Sequence, residues 1–99
     1  MSGKREGVEV IYEDDKCIAF HSKEKVAKTH YIVLSKSKDF VSLQKVQEDR
    51  DEELLGHMMV VVAQTAKKVG LADGYRTVID NGKNGNQSIP NFFIHVIGG

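Results

Sequence analysis

The last part of the chain carries the side chains whose types and spacing are best suited to chemistry. Residues 90–97 are apolar and aromatic, as in a β-strand, and alternate side chains of a strand share one face. Asn91, Phe93 and His95 are therefore expected on one face, with the intervening apolar residues on the other. Only His95 can exchange a proton near neutral pH or attack an electrophile, since an amide does not titrate there and a phenyl ring has no lone pair.

The loop before this strand, residues 80–88, is dense in Gly and Asn, which tolerate turns with positive φ. A loop of this composition is by itself most often a hairpin connection. It therefore becomes evidence for a binding site only in combination with the strands that flank it.

The remaining titratable residues indicate structural roles. No two of the four histidines stand at zinc-ligand spacing and no paired-cysteine motif is present, so the sequence predicts no metal site and no cofactor. His30 and His57 are interpreted as hydrogen-bonding and helix-packing residues. Cys17, within an apolar strand pattern, is expected to be a buried, unreactive thiol.

Composition limits the protein to one ordinary domain. The chain has 99 residues, 40% of them hydrophobic, with 14 basic and 14 acidic side chains. The balanced charge gives no support for nucleic-acid binding, and no apolar run reaches the ~20 residues of a membrane helix. One cysteine fits a reducing compartment, the cytoplasm, from which so small a chain also reaches the nucleus by diffusion. Residues 1–7 are expected to be a disordered lead-in to a single domain over residues 1–99.

Five strands and one long helix are expected in the order β-β-β-α-β-β, a mostly antiparallel α+β arrangement. The strands are predicted at residues 8–12, 16–21, 29–34, 75–79 and 90–97, with a short helical turn within 40–46. The helix is predicted from about Arg50 to Val69, capped by Asp49 with Glu52 in a capping box and ended by Gly70.

The apolar surface of this helix is wide. Its main stripe and the flanking positions are Leu54, Met58, Val62, Ala66, Leu55, Met59 and Val69, with Val60 and Val61 outside the stripe. Two interpretations are compatible with the pattern, a well-buried core helix and a helix that also contacts a partner subunit.

The loop and final strand together resemble the signature of the histidine triad (HIT) superfamily, His-φ-His-φ-His-φ-φ (φ apolar) after Gly-x-Gln-Ser. The resemblance is to the nucleotide-binding Hint branch, and its matching segments are residues 11–21, 29–30, 53–57, 70–71, 74–76 and 95–99. It implies a five-stranded antiparallel sheet with one long helix. It also implies a homodimer in which two chains pair through the helix and the fourth strand into one continuous sheet.

Departures from the family pattern fall on the catalytic residues. Asn91 stands at the first triad position and Phe93 at the second, and only His95 is retained. In family enzymes the middle imidazole attacks the α-phosphate of a nucleoside phosphoramidate, and water resolves the nucleotidyl-histidine. His95 lies about 6.6–7 Å along the strand from Phe93. Because misplacement by ~1 Å can cost on the order of a hundredfold in rate, substitution by His95 is disfavoured.

Other departures imply weaker nucleotide binding. Ser22 replaces the family aspartate that holds the ribose hydroxyls, and residues 23–28 replace a proline-bearing stretch. The lead-in that helps to wall the base pocket is short, and the sequence stops at Gly99. Gln87 and Ser88 match positions that contact phosphate through an amide, a hydroxyl and backbone N–H groups, and His95 could add a hydrogen bond or charge.

Three functions follow as hypotheses. The first is a catalytically degenerate homodimer that acts through binding or protein contacts, with weak residual binding of a purine nucleotide of the AMP type. The second is an active purine nucleoside phosphoramidase that uses His95, and the third is a nucleotide sensor without chemistry. Phe93 is correspondingly interpreted either as a filler of the former phosphate pocket or as an exposed contact for a new ligand.

Overall fold

A twisted antiparallel sheet with one helix on one face forms the protein. The computed structural model describes residues 3–5, 8–23 and 26–99. The strands are β1 Gly3–Arg5, β2 Val8–Glu13, β3 Cys17–His21, β4 Thr29–Ser35, β5 Arg76–Val78 and β6 Phe93–Gly98, and the helix is α1 Glu48–Lys68. Short 3₁₀ turns occupy Leu43–Lys45 and Lys83–Gly85, the former within the predicted helical turn.

The strand order is β1-β2-β3-β4-β6-β5, and every neighbouring pair is antiparallel. The five predicted strands and the α+β class are confirmed. Strand β1 is an addition, because Gly3–Arg5 pairs with β2 where the sequence led us to expect disorder. The rest of that expectation, at residues 1, 2, 6 and 7, lies outside the described residues.

Helix α1 packs on one face of the sheet and makes the main core with it. The fully or nearly fully buried members of this core are Cys17, Ala19, Val33, Phe40, Met58, Val61, Val62, Ala66, Leu71, Phe92, Ile94 and Val96. The rings of Phe40 and Phe92 stack with centroids 4.3 Å apart. As predicted, the even-numbered residues of the final strand supply its core face.

The helix begins two residues before the predicted start, and its N-terminus is stabilised by a different interaction from the predicted one. Gln47 is the N-cap and makes no side-chain capping bond, so the predicted capping box of Asp49 and Glu52 is wrong. Asp51 instead turns back and accepts the backbone N–H of Gln47 at 2.8 Å. Its carboxylate also receives two hydrogen bonds from Arg50, at 2.8 and 2.9 Å. A buried aspartate held by an adjacent guanidinium thus anchors the first turn.

The buried stripe of α1 is rotated slightly from the predicted one. Val61, placed outside the stripe from the sequence, is 1% exposed, whereas Met59 is 44% exposed and Val60 is 55% exposed. Two large apolar side chains therefore remain on the outer face of the helix. Among the described residues, no helix combines the length and the apolar character that crossing a membrane requires.

The loop between β5 and β6 turns at the residues whose composition predicted it. Gly82 has φ of 69° and Asn86 has φ of 59°, both in the left-handed region that Gly and Asn tolerate best. Regular pairing in β6 starts at Phe93, later than predicted. Before it, the backbone of Phe92 bonds to Phe40 and to Ser35, each at 2.9 Å.

Candidate functional site

The face of the sheet opposite α1 holds the remaining triad histidine. His95 lies on β6, between Ile32 of β4 and Val78 of β5 in register. Its side chain is largely buried. The antiparallel register also brings His30 of β4 within reach, because His30 is paired with Ile97, two residues beyond His95 on the same face.

A chain of hydrogen bonds runs through His95. Its Nδ1 atom lies 2.8 Å from Nε2 of His30, and its Nε2 atom lies 2.9 Å from Oδ2 of Asp80. At the other end, Nδ1 of His30 accepts the backbone N–H of Val26 at 3.4 Å. We call this Asp80–His95–His30 arrangement the carboxylate–imidazole chain.

The proton positions in this chain follow from its two ends. A backbone N–H can only donate, so Nδ1 of His30 carries a lone pair and its Nε2 carries the hydrogen. That hydrogen points to Nδ1 of His95, which therefore accepts. Nε2 of His95 must then carry a hydrogen and donate it to Asp80. Both ring nitrogens of His95 are thus engaged, and neither presents a lone pair to a substrate.

Phe93 is buried beside this chain. Its side chain is 1% exposed, and its ring meets the ring of His95 edge-on, with centroids 5.2 Å apart. A buried ring excludes water from the position two residues before His95. This burial favours the interpretation of Phe93 as a filler over that of an exposed ligand contact.

Asn91 has become a structural donor. Its amide nitrogen lies 3.3 Å from the carbonyl of Ser37 and 3.5 Å from that of Ser35. It therefore ties the approach to β6 to the end of β4. Ser22, at the position where family members hold ribose, is 2% exposed, and its backbone N–H bonds to the carbonyl of His30.

The side chain of Gln87 holds the loop before β6 together through hydrogen bonds. Its amide oxygen accepts the N–H of Gly82 at 2.8 Å. Its amide nitrogen lies 2.8 to 3.2 Å from the carbonyls of Val41, Ile89 and Asn91. Because these contacts take up the amide, the phosphate contact that the resemblance implies for Gln87 would have to come from elsewhere in the loop. Ser88, by contrast, is exposed at the mouth of the site.

A cavity of about 310 Å³ opens on the imidazoles. Both polar and apolar side chains border it. Its lining consists of Val26, His30, Arg76, Val78, Asp80, Asn86, Ser88, His95 and Ile97. The cavity thus combines one carboxylate, one guanidinium and several hydrogen-bonding groups.

Asp80 is the hydrogen-bond partner of His95 that sequence reasoning missed. The signal was available in the alternation of the fourth predicted strand, where Arg76, Val78 and Asp80 fall on one face. Register pairs Val78 with His95, so a side chain two residues beyond Val78 reaches the imidazole. What the sequence did not show was that this edge strand lies beside the final strand.

Two other residues weighed from the sequence lie together on the helix side of the sheet. Cys17 is buried, as predicted, and burial together with the nearby Asp14 carboxylate raises its pKa to about 12. His57, on α1, hydrogen-bonds to Oδ2 of Asp14 at 2.6 Å. The sequence did not predict that Cys17 and His57 lie close together.

Comparison with known proteins agrees with the fold and with the family resemblance. The family model described as HIT domain matches residues 5–99. A 14 kDa zinc-binding protein of Zea mays is 40% identical over 90 residues, which cover 91% of this chain and 70% of that protein. An uncharacterized HIT-like protein of Synechococcus elongatus is 37% identical over 91 residues, 92% of this chain and 78% of that protein.

Among solved structures, a HIT family hydrolase from Legionella pneumophila superposes with a TM-score of 0.84 at 30% identity. The match covers 91% of this chain and 80% of that one. A TM-score of this size over nearly the whole chain means that the sheet, its order and the long helix are shared. The expected fold is therefore confirmed.

The carboxylate–imidazole chain predicts one tautomer for each of its histidines. We expect both His95 and His30 to carry their hydrogen on Nε2, which long-range ¹H–¹⁵N spectra of the labelled protein distinguish from the Nδ1–H form. In Asp80→Asn, the Nε2 resonance of His95 should move while that of the remote His21 stays unchanged. A hydrogen on Nδ1 of His95 in the native protein would contradict the assignment.

Proposed function

Since the chain belongs to the histidine triad (HIT) family, we propose that it is a catalytically degenerate member that acts by binding and not by nucleotidyl transfer. The observation that carries the proposal is the state of the one remaining triad imidazole. His95 donates to Asp80 through Nε2 and accepts from His30 through Nδ1, which leaves it no lone pair for attack.

The loss of chemistry has two independent supports. Formation of a nucleotidyl-enzyme needs a nucleophile, and the buried phenyl ring of Phe93 cannot act as one. Departure of the leaving amine needs a proton donor, and the amide of Asn91 instead holds backbone carbonyls. Restoring either function alone would leave the other missing.

Residual nucleotide binding is the part of the family function for which the cavity still has suitable groups. The hydroxyl of Ser88, the loop residue Asn86 and the guanidinium of Arg76 border the space in front of His95. The Asp80 carboxylate borders the same space and repels an anion there. We therefore propose weak binding of purine nucleotides of the AMP type, limited by this carboxylate.

The active alternative, a phosphoramidase that uses His95, requires the carboxylate–imidazole chain to be broken. Turning Nε2 of His95 toward a phosphate would leave Asp80 without this hydrogen bond and His30 without its acceptor. A buried imidazole that loses its hydrogen-bond partner does not gain a hydrogen bond to water in exchange. The rearrangement therefore costs free energy. The structure therefore offers this alternative less support than the degenerate function.

Homodimerisation is also part of the proposal. Met59 and Val60 are exposed on the outer face of α1, and Tyr75 is 43% exposed immediately before β5. Strand β5 is an edge of the sheet, so its outer backbone groups are available for pairing. An exposed apolar helix face and an edge strand are the two elements through which the proposed pairing into one continuous sheet would run.

Restoring the nucleophile tests the catalytic part. We expect no release of amine from an adenosine phosphoramidate by the native protein. The double variant Asn91→His, Phe93→His should gain measurable turnover, because it supplies both a nucleophile and a proton donor. Asn91→His alone is the matched control and should remain inactive. Turnover by native protein that persists through repurification and disappears in His95→Ala would contradict the proposal.

Asp80 provides a separate test of the binding part. Asp80→Asn should increase the affinity for AMP by about tenfold, equivalent to about 1.4 kcal/mol, because a negative charge next to the phosphate is removed. Adenosine, which has no phosphate, should bind both proteins equally. Titrations followed by amide shifts at Ser88 and His95 measure both affinities. Equal changes for AMP and adenosine would mean that Asp80 does not face the phosphate.

The subunit contact is tested on the helix. We expect native protein to sediment as a dimer at micromolar concentration and Val60→Glu to shift toward monomer, since it places a charge in an apolar contact. Val46→Glu makes the same substitution at an exposed apolar position before α1 and should remain dimeric. Monomeric native protein would contradict the proposed assembly.

A further inference from the structure

A compact group of nitrogen, oxygen and sulfur donors lies on the helix side of the sheet, away from the cavity. Asp14 is in the turn between β2 and β3, Cys17 is the first residue of β3, and His57 is on α1. One potential ligand atom from each lies within 4.8 Å of the others. The group joins a hairpin to a helix that is more than forty residues further along the chain.

The Asp14 carboxylate is held in a fixed orientation. Its Oδ1 atom accepts the backbone N–H groups of Lys16 and Cys17, both at 2.8 Å. Its Oδ2 atom accepts the Tyr12 hydroxyl and contacts Nε2 of His57, both at 2.6 Å. Burial alone would raise the pKa of Asp14, but these hydrogen bonds together hold it well below its usual range. The carboxylate is therefore ionised and oriented toward the other two side chains.

The protons around this carboxylate belong to groups that are metal ligands once deprotonated. The Cys17 thiol is buried, and the backbone N–H of Cys17 donates to the same carboxylate. His57 and Tyr12 place their polar atoms at the same oxygen. A divalent cation in their midst would take over the role of these protons as the positive partner of Asp14.

We propose that Asp14, Cys17 and His57 form a binding site for a borderline-soft divalent transition cation such as Zn²⁺. Thiolate, imidazole and carboxylate are the donor set that this class of cation selects. Binding exchanges the thiol proton for a metal–sulfur bond and releases that proton to solvent. The side chains of His57 and Asp14 are 31% and 22% exposed, which gives the cation an entry path and leaves a fourth position for water.

Binding requires a small, specific rearrangement. Neighbouring ligands of a tetrahedral zinc lie about 3.3 Å or more apart, given metal–ligand distances of roughly 2.0–2.3 Å. The 2.6 Å separation of Asp14 Oδ2 and His57 Nε2 must therefore widen by about 0.7 Å or more. Hydrogen bonds from backbone N–H groups hold the Asp14 carboxylate in its turn. We therefore expect the side chain of His57 to move. The expectation that the sequence has no metal site rested on local spacing, which cannot detect a ligand supplied by a distant helix.

Cobalt is the most informative probe, since the protein has a single cysteine. The full chain, reduced with a phosphine in place of a competing thiol, would be titrated with Co²⁺. We expect one equivalent to bind with the intense near-ultraviolet absorption of a thiolate–cobalt bond and with tetrahedral visible bands, and Zn²⁺ to displace it. Affinity should rise about tenfold per pH unit near neutrality, because one thiol proton is released.

Variants locate the site. Cys17→Ala should abolish the thiolate absorption, and His57→Gln should weaken binding by about a hundredfold or more. His21→Gln and His95→Gln remove histidines elsewhere and should leave the titration unchanged. Circular dichroism verifies that each variant is folded. The proposal is wrong if folded native protein at saturating Co²⁺ shows no thiolate absorption. It is also wrong if His95→Gln removes binding while Cys17→Ala does not.

Discussion

The interaction on which the site depends is the hydrogen bond between His95 and Asp80. It fixes the hydrogen of His95 on Nε2, and with it the direction of the bond between His95 and His30. An imidazole that must serve two partners is well positioned but is not free to react. The retained histidine of the triad thus serves as a structural link between β4, β6 and the end of β5, and the carboxylate that completes the link also makes the cavity less favourable for an anion.

The sheet makes this link possible. Strand β6 is paired on both sides, with β4 and with the edge strand β5, so a single side chain on β6 is within reach of both neighbours. The opposite face of the same strand packs against α1 through Phe92, Ile94 and Val96. One face of β6 thus contributes to the core, and the other face contributes to the cavity. The proposed loss of chemistry at Asn91 and Phe93 is therefore compatible with an unchanged core.

Most of the fold could be predicted from the sequence, because alternation in the strands and the long apolar helix are local signals. The proposal of a degenerate triad rests on the identities of residues 91–95. Three features were not predicted, and the first two depend on contacts between distant segments. Asp80 meets His95 only through the β5–β6 register, Asp14 meets His57 only through helix packing, and Asp51 replaces the predicted cap because Arg50 neutralises it in a buried position.

The central claim is that no covalent nucleotidyl-enzyme forms, and intact-protein mass spectrometry tests it most directly. The protein would be mixed with excess adenosine phosphoramidate and quenched at times from milliseconds to hours. Our account predicts an unmodified chain at every time, with an adduct only when histidine is restored at position 93. An adduct of one adenylyl group on the native chain, mapped to His95, would contradict it.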